Sequence, residues 1–284
     1  MRSSRRGISR ALVSGLAIAL LAPLAAKPDP APAGGTNAPA PPLRVVQWNI
    51  GHFAMGKSSR PTTPPAESEA RAAEYRAKIA ELHADFLGVS EFDRAFDTSG
   101  ASSVTKVFAS FPSRVAGPKS GYQCNAVFSR FPCVRHKVFP YAERWQSTYF
   151  LDCVFLVGGR EVHFVQTHLD WNSSEKAALA RPEQIKQLVA HFADTPYVII
   201  AGDFNVRKVE EYQPFLEAGW RIANCGPEAG CLDTVAPSRK ARPERRYPLD
   251  NVIAKGFRLS GVFLDDKDLR LSDHRILGCV AEME

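Results

Sequence analysis

The 284 residues suffice for one large domain or two small ones, and at 45% hydrophobic and 23% charged they carry ample core material, which excludes a disordered chain. The formal net charge is +6, but four of those charges are Arg2, Arg5, Arg6 and Arg10 ahead of an apolar run, leaving about +2 (6 − 4) for the rest. That modest balance speaks against a tight, nonspecific polyanion binder.

The four arginines, the apolar run from Ala11 to Ala22 and the small residues around Leu24-Ala25-Ala26 read as a secretory signal peptide over residues 1–26. Ser4-Arg5-Arg6-Gly7-Ile8 loosely matches a twin-arginine signal, and the expected location is secreted or periplasmic. Residues 27–42, with Pro28, Pro30, Pro32, Pro39, Pro41 and Pro42, form a stiff linker that cannot bury a core. The domain is expected over residues 43–284.

Leu43–Ile50 reads as a core strand with Asn49 near its end. Glu67–His83 has helical composition, and Phe86–Glu91 is the next strand, ending on a carboxylate. This β-α-β order puts both strand ends on one side of a sheet. The short runs Val104–Phe108, Asn125–Ser129, Val134–Phe139 and Thr148–Val157, separated by turns, predict a meander. Val162–His168 carries His168 at its end, and the helix Glu175–Phe192 leads to Val198-Ile199-Ile200-Ala201, an apolar run predicted to be buried on both faces. After Gly202, Asp203 and Asn205 stand two residues apart and point the same way on an extended backbone. A third helix is expected over Val209–Ala218, then a strand from Leu249 to Ala254 carrying Asp250, then Leu271-Ser272-Asp273-His274 before a last strand, Arg275–Ala281.

Six cysteines behind an export signal suggest disulfides. Cys225 and Cys231, bracketing a Gly/Pro-rich loop, are the best pair; Cys124 with Cys133 or Cys153 is a second option. Cys153 and Cys279 also suit small buried hydrophobes inside strands. No CxxC or HExxH pattern supports a zinc site.

Taken singly, each polar strand-end residue has a structural reading: Asn49 a turn residue, His168 a satisfied histidine, Asp273 a cap. Together, two histidines with several carboxylates and amides at strand ends are what metal-assisted phosphate chemistry needs. The ordered set Trp48-Asn49-Ile50, Ser90-Glu91, Asn125 to Pro132, Thr167-His168-Leu169, Gly202-Asp203-Phe204-Asn205, Leu249-Asp250-Asn251 and Ser272-Asp273-His274 resembles the endonuclease/exonuclease/phosphatase superfamily, whose fold is that of pancreatic deoxyribonuclease. The resemblance covers roughly Arg44 to Val280.

It implies a four-layer α/β sandwich, two packed mixed β-sheets flanked by helices. It also implies that Asn49, Glu91 and Asp273 hold a divalent cation, Mg2+ or Mn2+, through hard oxygen donors. His274 matches the catalytic histidine beside the scissile phosphate and Asp250 the carboxylate that orients it. Asp203 would align or deprotonate the attacking water, Asn205 would donate to the phosphorane oxygens, and His168 would act near the leaving oxygen. Asn125 matches a residue facing the phosphate. Three departures stand out: Ser90 where many relatives have Gln, Asn251 where Tyr or Arg is frequent, and His52-Phe53 where small residues are common. His52 reads as a loop histidine rather than a pocket residue.

The basic run Arg239, Lys240, Arg242, Arg245 and Arg246 precedes Asp250 and reads either as a rim gripping a phosphate backbone, with Arg245 and Arg246 as substrate contacts, or as a solvated loop. Phe139-Pro140-Tyr141 and Trp145 are the only candidates for a lipid-entering aromatic hairpin, and a core or rim place suits them better. The expected activity is a nuclease-like phosphodiesterase on a phosphate-ester substrate, nucleic acid or lipid. The alternative is a phospholipid (sphingomyelinase-like) or phosphomonoester hydrolase, and a catalytically silent binding module ranks third. No stable protein partner is implied, and a monomer is expected.

Overall fold

The computed structural model describes residues 40–53, 65–92, 107–118, 124–142, 149–171, 175–227, 230–236, 246–267 and 269–284. The expected signal peptide, most of the linker, Trp145 and residues 239–245 of the basic run, Arg245 included, lie outside the described residues.

Two six-stranded sheets carry the fold. The first runs in the order β11 (Phe257–Asp265), β12 (Ile276–Met283), β1 (Leu43–Asn49), β2 (Phe86–Ser90), β4 (Ala126–Ser129), β3 (Ser113–Ala116). The second runs β5 (Cys133–Pro140), β6 (Tyr149–Val157), β7 (Arg160–His168), β8 (Val198–Asp203), β10 (Asp250–Lys255), β9 (Arg221–Ile222). Among the described residues, β1 with β2 and β7 with β8 pair in parallel and the other pairings are antiparallel, so both sheets are mixed. Three helices are described: α1 (Pro65–Leu82), α2 (Glu175–His191) and the short α3 (Gln213–Glu217).

Strand periodicity explains the layering. Along β1, Val45 turns into a core shared by both sheets with Phe86, Phe164, Ile199 and Val252, while Val46 and Trp48 face the opposite way onto Tyr75 and Ile79 of α1. Along β8, Ile199 and Ala201 enter the shared core, while Val198 and Ile200 meet Ile185, Leu188 and Phe192 from α2 and its C-terminal edge. The apolar run of β8 is therefore buried on both faces, as its sequence predicts. The order is helix, sheet, sheet, helix, the expected four layers.

Several elements differ from the sequence reading. Of the expected strand Val104–Phe108, the described residues Val107 and Phe108 lie in a helical turn. Phe108 stacks on Phe128 at 3.7 Å between ring centroids and packs edge-on against Phe53 and Phe92, so aromatic burial displaces strand pairing there. β3 and β11 carry no clean alternation and went unanticipated. In β11 the register shifts between Ser260 and Phe263 around Gly261 (φ 57°), a bulge that breaks the period of two. The third helix divides into a 3-10 turn, Val209–Tyr212, and α3, with Pro214 tolerated in the first turn.

Cys225 and Cys231 form a disulfide, as expected. The option pairing Cys124 with Cys133 or Cys153 is not realised: none of the three is in a disulfide. Cys124 lies on the helix side of the first sheet, with its thiol donating to the Gly117 carbonyl at 3.3 Å, whereas Cys133 and Cys153 pack in the core between the sheets. Cys153 and Cys279 are buried as small hydrophobes. Tyr141 is buried and Phe139 packs against the second helix layer, which gives them the core place expected.

Gly202 shows how tightly β7 and β8 approach. A Cβ there would lie 2.4 Å from the Thr167 carbonyl oxygen and 2.7 Å from Thr167 Cγ2. Backbone cannot yield without moving the strand, so Gly202→Ala is expected to cost about 1–3 kcal/mol. Urea unfolding should show a lower midpoint with an unchanged m-value.

Candidate active site

The pairing registers bring the polar strand ends together. His168 is opposite Asp203 across the parallel β7–β8 ladder, and Asp250, the first residue of antiparallel β10, is opposite Asp203 on its other side. Parallel strands end on the same edge and an antiparallel neighbour begins there, so three polar residues line up. In the other sheet, Asn49 is opposite Ser90 and Glu91 follows directly. Ser272 ties the last turn to this edge: its Oγ donates to the Asn49 carbonyl at 2.6 Å and accepts from the His274 N–H at 3.1 Å.

The side chains converge on Asp203. His274 Nε2 and His168 Nε2 lie 3.8 and 3.6 Å from Asp203 Oδ2. The same oxygen accepts from Asn49 Nδ2 at 3.0 Å, while Oδ1 accepts from the Asn205 N–H at 3.0 Å. Behind His274, Nδ1 contacts Asp250 Oδ2 at 2.7 Å, which orients the ring and leaves Nε2 facing the site. Burial opposes a charge on His274, yet Asp250, Asp203 and Asp273 together hold its pKa well above the ordinary histidine value. Burial raises the pKa of Asp250, and the neighbouring His274 works against that rise. Asn205 Nδ2 donates to the Leu169 carbonyl at 3.0 Å, which fixes the amide and leaves its second hydrogen.

Backbone strain gathers here. His52, Phe53, Glu91 and Asn205 all have positive φ, between 51° and 58°, in a conformation that non-glycine residues seldom adopt.

The donor set suits a hard divalent cation. Glu91 and Asp273 offer carboxylates and Asn49 an amide. Asn49 Nδ2 also donates to Glu91 Oε1 at 3.1 Å, so this residue bridges Glu91 and Asp203. Gly51 is cradled against the last turn: a Cβ there would meet Asp273 Oδ1 at 3.3 Å, which sets Asp273 beside the loop leading out of Asn49. By their donor chemistry, hard oxygens from two carboxylates and an amide, these residues suit a divalent cation. Asp203, Asp250 and His274 also offer ligand atoms within 4.8 Å of one another. There, however, Asp250 spends Oδ2 on His274 and Oδ1 on Gln47, so hydrogen bonds already engage it.

Two residues escaped the sequence reading. Gln47, fully buried, donates to Asp250 Oδ1 at 3.2 Å and to Ser90 Oγ at 3.2 Å, and accepts from Gln166 Nε2 at 3.0 Å. It joins the two sheets directly beneath the site. Spacing could have found it: Gln47 and Asn49, like Gln166 and His168, are i and i+2 on one strand face. Thr234 Oγ1 accepts from the N–H groups of Leu249 and Asp250 at 3.0 and 3.1 Å, and its carbonyl accepts from the Arg275 N–H at 2.7 Å. It thereby fastens both partners of the His274–Asp250 pair, and no local motif marks it. Gln47→Met, of similar volume but without a donor, is expected to lower kcat about tenfold with KM unchanged. Steady-state kinetics on a small phosphodiester checks this, since a merely structural role would not divide the two constants.

The remaining candidates are spread out. Asn125 precedes β4 beside Ser90 and Glu91, and its buried Oδ1 has no hydrogen-bond partner among the described residues. Arg246 is exposed and donates to the Cys231 carbonyl at 3.0 Å, so it braces the disulfide loop. His52, read as a loop residue, places Nε2 3.3 Å from Glu91 Oε2.

The family profile described as "Endonuclease/Exonuclease/phosphatase family" matches residues 46–274. Among curated proteins no relative matches the chain. Similar solved structures include an endonuclease/exonuclease/phosphatase from Beutenbergia cavernae, at 20% identity over 85% of this chain and 72% of that one, with a TM-score of 0.64. TDP2 from D. rerio, determined with a single-strand DNA product, is similar at 18% identity over 85% and 99%, with a TM-score of 0.65. Sphingomyelinase C from Streptomyces griseocarneus is similar at 23% identity over 85% and 100%, with a TM-score of 0.60. At these identities the likeness shows a shared fold.

Proposed function

This chain belongs to the endonuclease/exonuclease/phosphatase family, and from that membership we propose that it is an exported, divalent-metal-dependent phosphodiesterase of nuclease-like type. The observation that carries the reading is the convergence of His274, backed by Asp250, and His168 on one oxygen of Asp203.

In this reading Asp203 Oδ2, steadied by Asn49, aligns the attacking water and takes its proton. His274, whose pKa its carboxylate neighbours hold above the ordinary histidine value against the cost of burial, holds the scissile phosphate with Nε2 while Asp250 fixes the ring from Nδ1. Asn205 directs its remaining amide hydrogen at an equatorial oxygen as charge builds there. His168, on the other side of Asp203, serves the leaving oxygen as acid or as an electrostatic partner. Asn125 is the candidate for a further phosphate contact. Glu91, Asn49 and Asp273 would hold Mg2+ or Mn2+, which when bound would supply Lewis-acid charge at a phosphate oxygen.

The Cys225–Cys231 bond supports an oxidising compartment and, with it, export; cleavage near Ala26 and a catalytic domain over residues 43–284 complete this reading from the sequence alone. A lipid or small-phosphoester substrate is the second reading. Trp171, 52% exposed and three residues beyond His168, favours it, because an indole beside the site suits a membrane interface.

The deciding experiment sets the purified protein against plasmid DNA, RNA, sphingomyelin, inositol phosphates and bis-p-nitrophenyl phosphate, with Mg2+, Mn2+ or EDTA. Metal-dependent DNA nicking is the expected result. Turnover of lipid or small esters alone would move the substrate to the second reading, and silence on every substrate would overturn the enzyme.

A further inference from the structure

His52 stands in an improbable backbone conformation with a specific result. Its φ is 54°, Phe53 follows at 58°, and both side chains are held. On one side Gly51 abuts Asp273 Oδ1. On the other, Phe53 is buried edge-on against Tyr75 and Phe92, with ring centroids 5.0 and 5.8 Å apart. The His52 N–H donates to the Glu91 carbonyl at 2.9 Å, so the two strained residues are tied backbone to backbone. The imidazole is thereby fixed with Nε2 3.3 Å from Glu91 Oε2, on the oxygen that Asn49 does not use.

Two neighbouring ligands of one ion, each at about 2.1 Å, lie roughly 3.2 Å apart when their bonds meet at about 100°. The His52–Glu91 ion pair, at 3.3 Å, is close to that spacing, so the two atoms could turn to one ion with little movement. His52 and Glu91 side chains are 25% and 28% exposed, so an ion can enter between them from solvent. An imidazole nitrogen beside oxygen donors raises the affinity for borderline transition ions far more than for Mg2+, which prefers oxygen and water.

We infer that His52 is a nitrogen ligand of the metal centre and selects a transition-type divalent ion of the Mn2+ class over Mg2+. This deepens the proposed function and rests on Glu91 holding a metal.

The test is binding, not turnover. Mn2+ is titrated into the full-length protein and followed by its electron paramagnetic resonance signal, and Mg2+ binding is followed by calorimetry. His52→Asn and His52→Gly are compared with the parent protein, because both residues accept a positive φ and keep the loop. Mn2+ should bind about tenfold or more weakly in both variants, with Mg2+ affinity changed by less than about threefold. Nitrogen coupling to bound Mn2+ should be present in the parent and lost in both variants. Unchanged Mn2+ affinity, an equal loss for the two ions, or no nitrogen coupling in the parent would overturn the role of His52. If the parent binds neither ion, or Glu91→Ala binds both as the parent does, the metal-centre reading falls as well.

Discussion

His274→Asn should lose about 10³-fold or more in kcat while keeping its fold. The asparagine amide can still donate to Asp250, so the buried carboxylate keeps a partner, but nothing replaces the cationic Nε2 facing Asp203. His274→Ala should lose as much activity and also stability. It leaves the fully buried Asp250 with Gln47 on Oδ1 but without its partner on Oδ2, and breaking such a pair costs about 3 kcal/mol or more unless the carboxyl takes up a proton. Kinetics on a small phosphodiester, with thermal unfolding of both variants, separates the two effects. More than a tenth of the parent kcat in His274→Asn would remove this residue from the chemistry.

The second large effect is expected at Glu91. Glu91→Ala removes the carboxylate shared by Asn49 and His52, and metal-dependent turnover should fall about 10³-fold, to the level of the parent protein in EDTA. The fold should change little, because Glu91 is partly exposed and the backbone bonds of its loop do not use the side chain. Glu91→Gln, which keeps the hydrogen bond to Asn49 but not the charge, should recover part of the rate at raised metal concentration. Full activity of Glu91→Ala in EDTA would end the metal mechanism.

The site was legible because its residues sit at ends of strands whose apolar patterns are strong. β8 announces itself by four uncharged residues in a row, and Gly202-Asp203-Phe204-Asn205 follows at once. β1 and β7 read equally well, each with a polar residue at the end. What stayed hidden depends on partners far away in sequence. Gln47 looks like an ordinary polar residue in a strand until β10, some 200 positions later, brings Asp250 Oδ1 to it. Thr234 sits in a loop without a pattern, and its value comes only from the two segments it fastens. Val107 and Phe108 have good strand propensity, yet a nearby nest of aromatic rings claims them. His52 lies in the turn after β1, as its sequence predicts, but nothing in its neighbours predicts a run of three left-handed residues, Gly51 to Phe53.

The pairing of β1 with β12 has a consequence in time. Residues 43–49 are synthesised well before their antiparallel neighbour, residues 276–283. His274 lies just ahead of that final strand, and its turn is tied to Asn49 through Ser272. Every contact across this seam spans more than 200 residues, so closing it costs more chain entropy than forming a local hairpin. A growing or truncated chain therefore holds Asp203, His168 and Glu91 without the histidine that completes them. In the proposed reading the site is complete only once the seam between residues 43–49 and 276–283 has closed.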